Sequence, residues 1–300
     1  MTTLIGGDWG TSNLRLFRFD AGGAVLETRE AARGVLAVTD GGFEAELATL
    51  LGDWLDSGRA RILLSGMIGS RQGWREAPYV ACPADAAAIA LQSLAVASAL
   101  GEIRILPGVQ VERGDGCLDV MRGEETQIFG VTMRDGGAQL VVTPGTHSKW
   151  VRVKGGRIVD FATYMTGELY ALLKTHSILG RLIEGDAHDD AAFAAGVQRA
   201  LDEPALSKLL FSARSEGLFG RIAPTALSAY LSGLLVGAEV QAALRDGSAG
   251  RVTVIATPQL ARNYLAALAL AGIDDVEVMD GAQASAAGLW QLATAIPWAM

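Results

Sequence analysis

The chain has 300 residues and a formal net charge of −8; 50% of its residues are hydrophobic and 19% are charged. This composition is typical of a compact α/β enzyme rather than a disordered or fibrous chain. The acidic balance argues against a nucleic-acid partner, which requires clustered Lys and Arg. Two cysteines, no basic secretory segment, and an apolar stretch at 231–244 too short to span a bilayer predict a cytoplasmic protein with no membrane partner.

Apolar periodicity and turn residues predict the elements of the first half in chain order. Strands are expected near 3–8, 13–19, 24–31 and 61–65, with a helix over 43–56. After a loop rich in Gly, Trp and Arg at 66–83, we predict an alanine-rich helix at 84–100, a strand at 103–106 and a helix at 123–134.

The second half restarts with three strands and then alternates helix and strand. The strands are predicted at 138–143, 147–154, 157–163, 251–256 and 275–279, and the helices at 167–180, 189–201, 204–212, 224–245, 258–271 and 281–296. We therefore expect two domains, 1–135 and 136–300, each with a mixed sheet covered by helices. The turn residues Asp135-Gly136-Gly137 mark the predicted junction.

Two similar turns, about half the chain apart, are the most informative feature of the sequence. Gly7-Asp8-Trp9-Gly10-Thr11-Ser12-Asn13 and Thr143-Pro144-Gly145-Thr146-His147-Ser148-Lys149 each follow an apolar run and lead into an extended segment. Glycine allows a close backbone approach, and the N–H groups of such turns can bind an anion. The pair therefore suggests two related domains that bind one polyphosphate, although two ordinary hairpins would also fit.

The chain resembles the bacterial 2-dehydro-3-deoxygalactonokinases, within the sugar kinase/Hsp70/actin superfamily. The segments that carry the resemblance are Asp8 to Arg15, Gly66 to Ser70, Gly73-Trp74, Ala77 to Tyr79, Ile105 to Gly108, Val120 to Gln127, Pro144 to His147, Lys149 to Val151, Met165 to Leu169 and Leu231 to Val240. It implies two duplicated actin-like (ribonuclease H-like) domains with an ATP cleft between them. The implied activity is phosphorylation of 2-dehydro-3-deoxy-D-galactonate at its 6-hydroxyl, in galactonate breakdown. The superfamily's adenosine glycines are missing from residues 254–259.

Phosphoryl transfer requires positioning, charge neutralisation and an acceptor for the hydroxyl proton. We expect Asp8 to orient Mg²⁺ through water, because this cation keeps much of its hydration; capping of a turn is the alternative. Lys149 would neutralise phosphate charge or point to solvent. The residues expected to contact ATP are Gly10, Thr11, Ser12, Asn13, Gly145, Thr146, His147, Ser148, Lys149 and Gly237.

Two adjacent carboxylates, Glu124 and Glu125, follow Gly123 at a predicted helix start. Either one is expected to accept the proton of the 6-hydroxyl, a role whose loss typically costs about 10²–10⁴ in rate. Acidic residues in a first helical turn also complement the helix dipole, which is the alternative explanation. Because neighbouring side chains on a helix diverge by about 100°, only one of the two is expected to face the substrate.

The sugar acid is expected to contact arginines and aromatic side chains. Guanidinium groups bind carboxylates in a bidentate fork. Aromatic residues in a polar, glycine-rich loop suit a ligand wall. The second domain is expected to contribute the residues that precede a helix. The candidates are Arg71, Arg75, Arg122, Trp74, Tyr79, Thr166, Gly167 and Glu168.

Three other functions fit parts of the sequence. A kinase for a related ketodeoxy sugar acid would use the same groups, and a phosphatase of the superfamily would replace the hydroxyl by water. A non-catalytic ATP-binding regulator or scaffold is disfavoured, because the carboxylates are intact and no basic DNA-binding segment is appended. The sequence does not fix the oligomeric state, and a homodimer is compatible with it.

Overall fold

The computed structural model describes residues 3–55, 60–114, 116–132, 137–245 and 251–298. The chain forms two compact units. The first comprises Met1–Ala138, Arg152–Phe161 and Gly281–Met300, and the second Gln139–Val151 and Ala162–Asp280. Of the predicted junction Asp135-Gly136-Gly137, the first two residues lie outside the described part of the chain. The first unit thus includes the last helix and the segment Arg152–Phe161, and the division into domains 1–135 and 136–300 stays a prediction.

The described residues form fourteen strands and nine α-helices. The strands are β1 Thr3–Trp9, β2 Leu14–Phe19, β3 Val25–Ala31, β4 Ala60–Ser65, β5 Tyr79–Ala81, β6 Leu94–Val96, β7 Gly101–Ile105, β8 Gly108–Glu112, β9 Leu118–Met121, β10 Gln139–Thr143, β11 Ser148–Lys154, β12 Arg157–Tyr164, β13 Arg251–Ile255 and β14 Val276–Met279. The helices are α1 Phe43–Leu51, α2 Ala86–Leu91, α3 Glu124–Thr132, α4 Thr166–His176, α5 Asp190–Asp202, α6 Leu206–Leu218, α7 Leu227–Leu244, α8 Pro258–Leu270 and α9 Gly281–Ala295.

The two large sheets repeat one strand order. In the first sheet the order is β3-β2-β1-β4-β7-β6, and in the second it is β12-β11-β10-β13-β14. Strands β1 to β3 are antiparallel neighbours. Strand β4 pairs with β1 in parallel, and β7 pairs with β4 in parallel. Likewise β13 lies parallel to both β10 and β14. A meander followed by parallel strands, present twice, confirms the predicted duplicated actin-like fold with mixed sheets.

One region differs from the sequence prediction. The alanine-rich segment predicted as a helix over 84–100 forms only the six residues of α2, which is capped by the Asp85 side chain. The chain then enters β6, which pairs antiparallel with β7. Strand pairing in the tertiary structure therefore outweighs the helix propensity of alanine. Strands β5, β8 and β9 form a separate small sheet, which was also unexpected from the sequence.

Helix α7 forms the centre of the second unit. It extends the apolar stretch 231–244 to 18 residues, which by length and composition alone would be enough to cross a membrane. However, 72% of that window is buried inside the protein, as in the core helix of a globular unit. Gly233 packs against α5, where an added Cβ would lie 2.1 Å from the carbonyl oxygen of Phe193. Gly233 therefore allows α7 and α5 to pack closely.

The last helix, α9, packs on α3 in the first unit. Two glycines make this contact close: an added Cβ at Gly130 would lie 2.1 Å from the carbonyl oxygen of Ala284, and one at Gly288 would lie 1.8 Å from that of Thr126. A side chain at either position would force the helices apart. This packing brings a residue near the C-terminus, Ser285, to the end of β1, where the candidate site begins.

Candidate active site

The turn after β1 is held by bonds that use its carbonyl oxygens. Those of Gly10 and Ser12 accept hydrogen bonds from the N–H groups of Val35 and Gly34, at 3.0 and 2.9 Å. The Asn13 carbonyl accepts from the Gly10 N–H at 2.9 Å. In the described part of the chain, the N–H groups of Thr11, Ser12 and Asn13 have no acceptor. These three residues are exposed, so their N–H groups are available to an anion.

Asp8 lies beside this turn. A cavity of about 570 Å³ is lined by Asp8, residues 10–15 and residues 30–32. The Asp8 carboxylate accepts a hydrogen bond from the Ser285 hydroxyl at 3.0 Å, and the Gln127 amide donates to that same hydroxyl at 3.2 Å. Burial raises the pKa of Asp8, while the Ser285 hydrogen bond and the charge of Arg15 oppose the rise. Asp8 is therefore oriented by two successive side-chain hydrogen bonds, from Gln127 on α3 to Ser285 on α9 and from Ser285 to Asp8.

The start of α3 lies against the ends of β1 and β4. Gly123, with φ 108°, allows this approach, because an added Cβ would lie 3.2 Å from the Cα of Gly66. Gly66, with φ 94°, in turn lies next to Asp8, since an added Cβ there would be 3.4 Å from Oδ1. Both backbone conformations favour glycine over any other residue. Because Glu124 begins α3, its negative charge adds to the rise in the pKa of Asp8 that burial causes.

The structure separates the two predicted carboxylates. Glu125 is completely buried, and its two oxygens accept from the Gly123 N–H at 2.7 Å and from the Thr126 hydroxyl at 3.2 Å. Thr126 also hydrogen-bonds to Ser65 at 2.7 Å. Burial, followed by the charge of Glu124, raises the pKa of Glu125 to about 8. Glu124 is half-buried, and its Oε2 accepts the Arg122 N–H at 3.1 Å.

Arg122 is the arginine that lies closest in sequence to these carboxylates. Its Nη2 donates to the carbonyl oxygens of Ala77 and Pro78 at 2.8 and 3.4 Å, and its guanidinium lies 4.3 Å from the ring centroid of Tyr79. Its Nε and Nη1 are buried without an acceptor in the described part of the chain. Gly69 makes room for this group, because an added Cβ there would lie 2.9 Å from Nη1. Buried unpaired donors are costly, which favours an anionic partner.

The other predicted sugar-acid residues of the first unit lie elsewhere. Arg71 is exposed and forms an ion pair with Glu76 at 2.9 Å, and Arg75 is exposed as well. The Trp74 ring is half-buried and stacks on Phe43, with 6.5 Å between the ring centroids, against the hydrophobic core. Only Tyr79, which is 36% exposed, lies beside Arg122 as expected.

In the second unit, the turn after β10 contacts the start of α4. The Thr146 carbonyl accepts from the Glu168 N–H at 3.0 Å, and an added Cβ at Gly167 would lie 2.4 Å from the Gly145 carbonyl oxygen. The side chains of His147 and Glu168 hydrogen-bond at 2.5 Å. The structure therefore brings together two segments that the sequence placed separately in the site.

One of the two alternatives for Lys149, a side chain that points to solvent, is excluded by the structure. Its side chain is buried, with Nζ 3.3 Å from the carbonyl oxygen of His147, so it does not point to solvent. Ser148 is completely buried, and its hydroxyl lies 3.0 Å from that of Tyr264. These two side chains lie on the inner side of the turn, whereas Thr146 and His147 are exposed.

A second cavity, of about 350 Å³, lies within the second unit beside this turn. Its lining includes Gly145, Thr166 and Gly167 together with polar residues of α8. Among the latter, the Oδ1 atom of Asn263 is buried and has no hydrogen-bond partner in the described residues. This cavity lies at the end of β13, although the sequence there has no glycine pair.

Comparison with known proteins identifies the chain. A sequence model of the 2-keto-3-deoxy-galactonokinase family matches residues 8–292. The chain belongs to this family. A protein of Rhizobium meliloti (strain 1021), named probable 2-dehydro-3-deoxygalactonokinase, is 41% identical over 295 residues, which is 96% of each chain. The 2-dehydro-3-deoxygalactonokinase of Escherichia coli (strain K12) is 38% identical over 96% of this chain and 97% of its own.

A solved structure agrees with this assignment to the 2-keto-3-deoxy-galactonokinase family. It is a crystal structure named for a 2-dehydro-3-deoxygalactonokinase protein from Sinorhizobium meliloti, with 38% identity and a TM-score of 0.92. The match covers 97% of this chain and 98% of that one. The predicted enzyme class, a phosphotransferase with an alcohol group as acceptor, is thereby confirmed.

Gly237, predicted to contact ATP in this family member, has a different environment. It is buried in α7, and an added Cβ would lie 2.8 Å from the Cα of Val197 in α5. The residue does not line the cavity of the second unit, although Val236 does. The structure therefore gives Gly237 a role in helix packing, and we leave it out of the proposed site.

Several residues of the site were missed by sequence reasoning. Ser285 lies in an alanine-rich helix, where a single serine carries no signal. Asn263 could have been found, because the polar residues Gln259 and Asn263 are four apart and therefore share a face of α8, directly after a strand. Glu239 also carried a signal, being an acidic residue inside the most apolar helix of the chain.

Proposed function

We propose that the chain transfers the γ-phosphoryl group of ATP to the 6-hydroxyl of 2-dehydro-3-deoxy-D-galactonate, a step of galactonate breakdown. The observation that carries the proposal is the junction Arg122-Gly123-Glu124, where a guanidinium with unpaired donors adjoins an accessible carboxylate. The Arg122 guanidinium can bind the carboxylate of a sugar acid, and the Glu124 carboxylate can accept the proton of its hydroxyl. A kinase for this substrate requires both groups within one substrate site, one for each end of the sugar acid.

The phosphates of ATP are assigned to the two turns. In the first, the free N–H groups of Thr11, Ser12 and Asn13 support this role. In the second, Gly145 and Thr146 lie against the start of α4, whose backbone dipole favours an anion. That both turns bind one triphosphate remains a prediction from the sequence.

We assign the nucleoside to the cavity of the second unit. Its volume of about 350 Å³ lies within the range of small-molecule sites. Gly145 lines the same cavity, so a nucleoside there would have its phosphates near the second turn. The unpaired Oδ1 of Asn263 offers an acceptor for an amino or hydroxyl group of the nucleoside.

Asp8 is the proposed partner of Mg²⁺. In the described ranges, no cluster of three or more His, Cys, Asp or Glu side chains is present. This donor set fits a magnesium ion held by one carboxylate, waters and substrate phosphates, which is how the cation binds in many phosphoryl-transfer sites. When bound, the ion would supply charge neutralisation for the transferred phosphoryl group.

Glu124 is the proposed general base. A base must reach the hydroxyl that it deprotonates, and the buried oxygens of Glu125 are already engaged with Gly123 and Thr126. The Glu124 carboxylate would accept the 6-hydroxyl proton as the oxygen forms its bond to phosphorus and the bond to ADP breaks. The carboxylate at the other end of the sugar acid would bind Arg122, beside Tyr79.

An assay of ADP release tests the proposal. We expect ADP only when ATP and 2-dehydro-3-deoxy-D-galactonate are both present, with the 6-phosphate as the product. The epimeric 2-dehydro-3-deoxy-D-gluconate is the control for a related ketodeoxy acid. Phosphate release without any sugar acid would indicate a phosphatase, and no release with any substrate would indicate a regulator. The predicted cytoplasmic location and a homodimer stay predictions.

A further inference from the structure

A buried carboxylate in the second unit has no role in the chemistry described so far. Glu239, on α7, is 3% exposed. Its Oε1 accepts the indole N–H of Trp150 at 2.7 Å, and both of its oxygens lie 2.8 Å from the hydroxyl of Tyr264. Burial raises the pKa of Glu239, and hydrogen bonding by the side chains of Thr166, Trp150, Tyr264 and Ser148 opposes that rise. A carboxylate is retained in an apolar core only when such donors compensate for lost hydration.

The four donors belong to three different segments of the candidate nucleotide site. Ser148 and Trp150 begin β11, directly after the phosphate turn. Thr166 is the first residue of α4, which lies against that turn. Tyr264, on α8, lines the nucleoside cavity together with Thr166. We call these four residues and Glu239 the Glu239 cluster.

Glu239 itself does not line the cavity, so its influence on a nucleotide would be indirect. The turn residues Thr146 and His147 are exposed, and the contacts that fix their position are with Gly167 and Glu168 at the start of α4. The strand after the turn and the helix start beside it are both bonded to one carboxylate on α7. A fixed geometry of this kind lowers the cost of ordering the site when a ligand binds.

We propose that Glu239 is a positioning residue for ATP, which holds the second phosphate turn, the start of α4 and the nucleoside cavity in register through the Glu239 cluster. The inference rests on the proposed function for the identity of the nucleotide. In this proposal Glu239 affects the affinity for the nucleotide and does not contact the sugar acid.

The second unit offers a matched pair of variants for the test. Tyr264→Phe removes a buried hydroxyl that lies 3.0 Å from Ser148 and is bonded to Glu239. Tyr230→Phe removes a buried hydroxyl that lies 3.0 Å from Ser212 and does not line the cavity. The two changes are the same chemically and similar in burial. Glu239→Gln is the direct variant, since the amide keeps the shape but loses an acceptor.

The measurements are the KM for ATP, the KM for the sugar acid, and the affinity for ADP by titration calorimetry. We expect Tyr264→Phe and Glu239→Gln to raise the KM for ATP and the dissociation constant for ADP by about tenfold, the usual effect of losing a hydrogen bond to a charged group. The KM for the sugar acid should stay within about twofold. Tyr230→Phe should leave all three constants unchanged.

The inference is overturned if Tyr264→Phe lowers the melting temperature as Tyr230→Phe does while both keep the wild-type constants for ATP and ADP. It is also overturned if the KM values for ATP and sugar acid rise together. Should Glu239→Gln fail to fold, Tyr264→Phe decides the outcome alone. Wild-type protein that binds ADP but phosphorylates no ketodeoxy acid would refute the proposed function only, because the calorimetric comparison would still stand.

Discussion

Replacing Glu125 by Gln is expected to change the pH dependence of stability while leaving catalysis intact. The buried carboxyl has a pKa of about 8, compared with an ordinary value of 4.5. Because the folded state binds the proton more tightly than the unfolded chain does, the free energy of unfolding falls as pH rises from about 4.5 to about 8. At about 1.4 kcal/mol per pH unit, the loss attributable to this group amounts to about 5 kcal/mol.

Glutamine is a good replacement for the protonated acid at this site. Its carbonyl can accept the Gly123 N–H, and its amide can donate to the Thr126 hydroxyl, which then donates to Ser65. We therefore expect Glu125→Gln to fold and to become more stable than wild type as pH rises, with the difference growing over the window from about 4.5 to about 8. Urea unfolding at several pH values measures this difference directly.

Glu124→Gln is the matched control. It keeps the buried carboxyl at 125, so a decline of stability with pH should remain, although a smaller one, because the Glu124 charge that helps raise the pKa of Glu125 is lost. It should also lower kcat by about 10²–10⁴ if Glu124 is the base. Glu125→Gln should retain near-normal kcat. Parallel stability curves for wild type and Glu125→Gln, or a loss of kcat in Glu125→Gln as large as in Glu124→Gln, would refute the assignment of the two carboxylates.

Three further changes test other parts of the site. Asp8→Asn should lower turnover at least about 10²-fold, with a weaker response to added Mg²⁺; wild-type rates at every Mg²⁺ concentration would contradict the metal role. Arg122→Ala should raise the KM for the sugar acid roughly 10- to 100-fold in steady-state assays, and Arg71→Ala, at an exposed ion pair, should not change it. Gly288→Ala should lower the free energy of unfolding by about 1–3 kcal/mol or more in urea titrations, because the new methyl would meet the Thr126 carbonyl; unchanged stability would mean that α9 can shift without cost.

Most of the secondary structure could be predicted because its signals are local. The helices and strands of the second half follow from apolar periodicity and turn residues, and α8 begins at Pro258 as such a residue would indicate. The segment 84–100 could not be predicted in this way. Its alanines favour a helix locally, but pairing of Leu94–Val96 with the strand Gly101–Ile105 decides its conformation, and that contact is not visible in a window of sequence.

The candidate site was predictable to a similar extent. The two turns, Asp8, Arg122 and the pair of glutamates were found because glycine, charge and order in the chain mark them. The sequence did not predict which of the two glutamates is accessible, because accessibility depends on the residues that cover each side chain. The stacking of Trp74 on Phe43 was not predicted either, because it depends on a contact between residues far apart in the chain.

The sequence by itself determined the family, the duplicated order of elements and the positions of both turns, since these depend on residue identity along the chain. Only the tertiary structure decided that Glu125 is buried while Glu124 is accessible, that Ser285 orients Asp8, and that Glu239 is bonded to Trp150 and Tyr264. The physical reason is that burial and hydrogen bonding are properties of neighbours in space. Asp8 and Ser285 are 277 residues apart in the chain, and no local pattern encodes their contact.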